Sequence, residues 1–123
     1  MTDQQSALGG QATELFAGIP VSNFGTAVEW YQRLLGSPPT FFPNAVEAVW
    51  ALADHRWLYI IVDADRAGGA VQTVICGDLE RLIDEIAARG ITFDKEETPA
   101  EGVRRVMYID PDGNEIGLGR IPG

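Results

Sequence analysis

The sequence predicts an α+β fold: two consecutive β-α-β-β-β modules with mixed sheets. Three observations carry this. A strand, a capping Asx residue, an amphipathic helix and a closing glycine recur in the same order in each half. A polar, glycine-bearing stretch at residues 63–70 separates the halves, and each half ends in two strands joined by a tight turn. With 123 residues, 46% of them hydrophobic, the chain can bury one sizeable core. A half of about 55 residues would be marginal alone, so the halves need each other. Module one is placed at residues 13–63 and module two at 71–121. Residues 1–12 are expected to be a disordered tail.

In the first half, Leu15–Val21 (LFAGIPV) is strand-like, and Pro20 near its end suits an edge or a strand terminus. Asn23 is a good N-cap for a helix with Ala27, Tyr31, Leu34 and Leu35 at helical spacing, and Gly36 can take the left-handed conformation that closes it. Ser37-Pro38-Pro39 breaks the chain. Residues 40–42 read as a short extended piece, Pro43-Asn44 as a turn, and residues 45–53 and 57–62 as strands joined at Asp54-His55. A two-residue turn there would set Trp50 across from Tyr59.

The order then restarts. Residues 71–76 form a strand, and Asp78 caps a helix with Leu79, Leu82, Ile83 and Ile86 on one face and its end at Gly90. Residues 91–95 read as a short strand, 96–102 as a polar loop, and 103–110 as the strand leading into the last hairpin. In Asp110-Pro111-Asp112-Gly113 the proline presets a type I turn and the glycine takes positive φ. Asp110 then pairs with Asn114, Tyr108 with Ile116 and Met107 with Gly117. The shift that aligns the caps Asn23 and Asp78 also aligns Phe16 with Val71. A slightly longer one aligns Tyr59 with Gly117.

Composition excludes several partners. The 18 acidic and 9 basic residues give a net charge of −9, which repels a nucleic-acid backbone. No apolar stretch approaches the roughly 20 residues of a membrane span, and the first residues lack the basic start and apolar run of a secretory leader. The single cysteine, Cys76, cannot form an internal disulfide, so a cytoplasmic setting is expected.

Two segments resemble the vicinal oxygen chelate superfamily, the glyoxalase, bleomycin-resistance and extradiol-dioxygenase family. The first is GIPVSN (residues 18–23) with Ala27 and WYQRLLG (residues 30–36). The second is VICGDLERLIDEIAARGI (residues 74–91) followed by YIDPDGNEIGL (residues 108–118). The resemblance implies paired modules whose curved sheets enclose a cavity, often with a second chain completing a dimer. It also implies a divalent metal held by first-strand and last-strand residues of each module, which fall here on Phe16, Tyr59, Val71 and Gly117. Hard divalent ions need carboxylate, imidazole or water oxygen, so no metal and no other cofactor is expected. Of the neighbouring positions only Gln72 and Glu115 could ligate.

Other chemistry is sparse. His55 lies in a predicted turn, and Cys76 on the helix-facing side reads as an inert thiol. Glu47 and Glu115 are the acidic residues nearest the cavity and read as rim carboxylates. With Tyr59 they are the candidate acids or bases should the protein be an enzyme. Alternation directs Phe16, Trp50, Trp57, Tyr59, Val71, Thr73 and Met107 to the concave side, with Gly117 and Gly119 leaving space. Such a lining suits a flat aromatic or cationic organic ligand. The expectation is a metal-independent small-molecule binding or sequestering protein of the bleomycin-resistance type, working as a homodimer without nucleic acid or membrane. Two alternatives stay open: a lyase, isomerase or oxygenase relative with an atypical metal or none, and a structural or regulatory dimer whose rings fill the cavity.

Overall fold

The computed structural model describes residues 6–122. Residues 1–5 of the expected tail lie outside the described residues, while residues 6–12 form turns in which Gly9 N–H donates to Ser6 O and Ala12 N–H to Leu8 O. The elements follow in the order β1 (Leu15–Val21), α1 (Phe24–Leu35), β2 (Phe41–Asn44), β3 (Glu47–Ala53), β4 (Arg56–Val62), β5 (Val71–Ile75), α2 (Leu79–Ala88), β6 (Lys95–Glu97), β7 (Arg104–Ile109) and β8 (Glu115–Arg120). They make two four-stranded mixed sheets, β1-β4-β3-β2 and β5-β8-β7-β6. In each, the first strand of the module runs parallel to the last and antiparallel hairpins supply the rest. The α+β architecture of two β-α-β-β-β modules is therefore as the sequence predicts.

Local chemistry sets the helix ends. The Asn23 side chain accepts from Thr26 N–H to open α1, and Gly36, at φ +81°, closes it by donating to Gln32 O. Asp78 plays the opening role for α2, accepting from Arg81 N–H. Both helices cover the same side of the sheets. A single apolar cluster joins Tyr31 and Leu34 of α1, Ile86 of α2, Ile19 and Ile60 of the first sheet, and Tyr108 and Ile116 of the second. The other side of each sheet is left open.

A polar clamp fixes one module to the other. The buried Asp110 and Asn114 form the corner of the last hairpin, where Asp110 N–H donates to Asn114 O at 2.9 Å and Gly113 has φ +100°. Asn114 Oδ1 accepts from Gly68 and Ala70 N–H, and its Nδ2 donates to Pro20 O at 2.8 Å. Asp112 accepts from both Ser22 N–H and Ser22 Oγ. Every one of these groups is paired as a buried backbone requires. The linker at residues 63–70 is thus fastened to the hairpin.

Two segments depart from the sequence reading. The chain between α1 and β3 pairs later than expected: β2 runs Phe41–Asn44 through Pro43, and the turn falls at Ala45-Val46, where Asn44 Oδ1 accepts from Val46 N–H. In the second module residues 91–93 are not strand. Ile91 and Phe93 pack inward, Phe93 edge-on to Tyr108, and pairing begins only at Lys95 across from Met107. Burial of two apolar side chains outweighs early pairing there, and Glu96 and Glu97, expected in a loop, join the edge strand.

Candidate functional site

The open face of the first sheet carries Phe16 from β1, Trp57 and Tyr59 from β4, and Phe41 from β2. Period-two alternation puts them there, opposite the core residues Ile19, Leu58 and Ile60. Phe16 and Trp57 are register partners and stack face to face, with centroids 5.4 Å apart and planes 7° from parallel. Tyr59 and Phe41 meet this pair edge-on at 6.4 and 6.1 Å. Gly18 makes the arrangement possible: a Cβ at that position would stand 2.7 Å from the Tyr59 ring, so the missing side chain lets the phenol lie against the strand. Phe16 remains 47% exposed and Phe41 43%, so the aromatic surface is available.

Glu14 orients the wall at one end. Its Oε1 accepts from the Trp57 indole N–H at 2.9 Å and its Oε2 meets His55 Nδ1. The indole bond, then the His55 contact, hold the Glu14 carboxyl below its ordinary range. His55 adopts φ +65°, which is uncommon for a residue with a Cβ, at the tight turn between β3 and β4. At the far end, Glu47 accepts from Asn44 Nδ2 at 2.6 Å.

On the second sheet, the open face carries Val71 and Thr73 from β5, Met107 and Arg105 from β7, and Glu115, Gly117 and Gly119 from β8. Above Gly117 the space is occupied: a Cβ would lie 2.9 Å from Met107 Sδ and 3.2 Å from both Thr73 Oγ1 and Arg105 Cδ. Glu115 pairs with Lys95 at 3.2 Å and Arg105 with Glu97 at 2.9 Å. Ion pairs thus bound this face.

Trp50 is the expectation the structure overturns. It is 1% exposed, packs against Tyr31 at 6.0 Å and donates its indole N–H to Ser37 O, all on the helix side. The cause is a bulge. Ala53 pairs with Arg56 as a two-residue turn requires, but Leu52 has no partner and Ala51 pairs with Trp57, so Trp50 faces Leu58 instead of Tyr59. One extra residue moves the indole to the other face. The structure brings Phe16, Trp57 and Tyr59 together and Thr73, Met107 and Gly117 together, with Val71 beside Glu115. Glu14 and Phe41 belong to the first group as well, although the sequence does not mark them. Phe41 was hidden by the misplaced turn after it, and Glu14 because it precedes the strand.

The positions where the resemblance implies metal ligands do not fit a metal. They present a phenyl ring, a phenol laid over Gly18, an isopropyl group and a glycine whose space Met107 occupies. Gln72, the alternative donor, lies on a cavity wall with Ala17 and Val74, while Glu115 is held by Lys95. Among the described residues no three His, Cys, Asp or Glu side chains converge as a metal would need. Cys76 is half-buried, and burial pushes its thiol up, away from the reactive form.

Paired β-α-β-β-β modules, helices on one side and an open, ring-lined sheet face on the other, define the class of protein. The chain belongs to the Glyoxalase/Bleomycin resistance protein/Dioxygenase superfamily, whose sequence model matches residues 13–118. Among solved structures, a glyoxalase/bleomycin resistance protein from Catenulispora acidiphila DSM 44928 is 49% identical, with a TM-score of 0.85 over 89% of this chain and 98% of that one. A bleomycin-binding protein complexed with bleomycin (18% identity, TM-score 0.70) and a bleomycin resistance determinant encoded on the transposon Tn5 (18%, 0.72) share the fold, each over 89% of this chain and 98% of theirs. A search of curated proteins found no match.

Proposed function

We infer that the protein binds a small organic molecule without a metal, sequestering it in the manner of the bleomycin-resistance branch. The observation that carries this is the parallel Phe16–Trp57 pair with Tyr59 and Phe41 at its edges, exposed on an open sheet face whose implied metal positions hold no suitable donor. Offset and edge-on rings offer a flat ligand a stacking surface, and a cationic one is drawn to their faces and to the net charge of −9. In a single chain neither open face is roofed. A second copy would supply the roof, and covering the exposed Phe16, Phe41, Val71 and Ile75 favours that assembly. The working form is then a homodimer whose ligand lies between the sheets.

The test is a thermal-shift screen followed by calorimetric titration, with bleomycin and planar cationic dyes such as ethidium as probes. A binding compound should lose at least about tenfold in affinity in Phe16→Ala and Tyr59→Ala, since stacking contacts are worth about 1 kcal/mol or more each. Unchanged binding in both variants sinks the assignment. One equivalent of divalent ion per purified chain, found by elemental analysis, would overturn its metal-independence.

A further inference from the structure

We propose that the seam between the modules is a second binding site, adjoining the open sheet faces at Trp57 and Thr73, and that it takes an amphipathic carboxylate whose apolar tail enters between β1 and β5 while the carboxylate rests on Arg56.

The cavity comes from the topology. β1 and β5 are the edge strands of their sheets, with no ladder between them, and side chains alone fill the join. They fill it incompletely. A cavity of about 450 Å³ opens between Leu15 and Ala17 of β1, Leu58 of β4 and Val74 of β5, with Arg56 at its margin. A second, of about 320 Å³, lies beneath it between the helices, against Leu34 and Ile86, and shares Leu52, Leu58 and Val74 as walls with the first. Both volumes fall in the usual range for small-molecule sites, roughly 300–1,000 Å³, and the walls are largely aliphatic. An alkyl tail gains about 0.8 kcal/mol for each methylene such walls remove from water. Of the stacking partners that the sheet face offers, a flat aromatic ring would meet only Trp57 here.

The headgroup comes from the charges. All nine basic side chains lie among the described residues, and seven pair with a carboxylate there: Arg33, Arg66, Arg81, Lys95, Arg104, Arg105 and Arg120. The two that do not, Arg56 and Arg89, both line the seam cavities. Arg89 is committed to the end of α1, donating to the carbonyls of Arg33 and Leu34. Arg56 alone makes neither an ion pair nor a side-chain hydrogen bond among the described residues, in a chain with twice as many acids as bases. A guanidinium on the rim of an aliphatic cavity pairs with a carboxylate through two parallel N–H donors. Glu14 and Asp54, which line an adjoining hollow with Arg56, count against a doubly charged phosphate and leave a monoanion as the fitting partner.

Titration with dodecanoate below its micellar range, followed by calorimetry and by the emission of Trp57, which lines the upper cavity, tests the site. Dodecyltrimethylammonium and dodecanol serve as headgroup controls. The expected result is saturable binding of dodecanoate at one per chain, weakened about tenfold by Arg56→Gln, as befits loss of one charge-assisted contact. The Ala17→Leu variant, which fills the cavity, should weaken it as well, and Tyr59→Ala, on the sheet face, should not. Equal binding of all three amphiphiles, or dodecanoate binding indifferent to Arg56→Gln, overturns the proposal. Arg56 is exposed, so that variant keeps the test valid even where Ala17→Leu fails to fold. Failure here leaves ethidium or bleomycin binding at the sheet face unaffected, so the two sites are judged separately.

Discussion

The hydroxyl of Tyr31, on α1 of the first module, donates to Asp110 Oδ2, at the hairpin corner of the second, over 2.8 Å. The same carboxylate oxygen accepts from Asn114 Nδ2, and Asp110 Oδ1 accepts from the N–H groups of Asp112 and Asn114. Tyr31→Phe leaves a buried carboxylate short of one donor and should cost about 1–3 kcal/mol in urea unfolding. Asn114→Ala should cost more, because it strands Gly68 N–H, Ala70 N–H and Pro20 O together. If Asn114→Ala is as stable as wild type, the modules are not held at this corner.

Alkaline pH should unfold the protein through its buried phenols. Burial pushes Tyr31 and Tyr108 up from the ordinary tyrosine value, Tyr31 further because Asp110 stands beside it, and Tyr108 OH has no hydrogen-bond partner among the described residues. The native state therefore keeps protons that the unfolded chain releases above about pH 10. The associated stability is fully present below that pH and is lost as pH rises, at up to about 1.4 kcal/mol per unit for each phenol. Denaturant midpoints measured between pH 8 and 11 should be level at first and then fall. In Tyr108→Phe the fall should be shallower, and an unchanged slope would count against this origin.

The tryptophans should separate stability from binding. Trp50→Ala empties a fully buried core site and should cost about 3–5 kcal/mol. Trp57→Ala removes a partly buried ring on the open face, so its stability cost should be smaller while ligand affinity at the sheet face drops. Comparable unfolding midpoints for the two variants would contradict the register found here.

This pair also marks how far the sequence could be read. Strand β1, both helix caps and the final hairpin were legible, because Asn23, Gly36, Asp78 and the Asp110–Asn114 corner act through bonds to near neighbours. Phe16, Tyr59, Thr73 and Met107 followed from alternation inside unbroken strands. Trp50 did not, since the bulge at Leu52 carries no glycine or other local marker and is decided by packing of the indole against Tyr31. The start of β6 failed similarly: Ile91 and Phe93 look like strand, but the core claims them.

Two glycines should respond differently to a methyl group. At Gly68, with φ +97°, a Cβ would stand 2.5 Å from the backbone oxygen of Asp112, which cannot swing aside. Gly68→Ala should cost several kcal/mol, from roughly 1 kcal/mol of backbone strain plus displacement of the clamp. At Gly18 the obstacle is the outer end of the Tyr59 ring, which can rotate. Gly18→Ala should therefore unfold nearly as wild type yet bind sheet-face ligands more weakly. Calorimetry on both variants checks the contrast, and a severe stability loss in Gly18→Ala would mean the Tyr59 ring is locked.

The unpaired Leu52 also bears on how such a protein can diversify. Deleting that single residue would join Ala51 to Ala53 and leave every other pair of the ladder as it is, with Trp50 across from Leu58 on the helix side and Val49 across from Tyr59. A lineage carrying this bulge can therefore lose that codon without changing the lining, whereas drawing Leu52 into the ladder opposite Trp57 would turn over everything before it in β3, sending Trp50 to the open face and Val49 toward the helices. Homologues that lack one residue at this point of β3 are then expected to keep the same lining, and those that keep the residue but straighten the strand are candidates for altered ligand preference, whatever their overall identity.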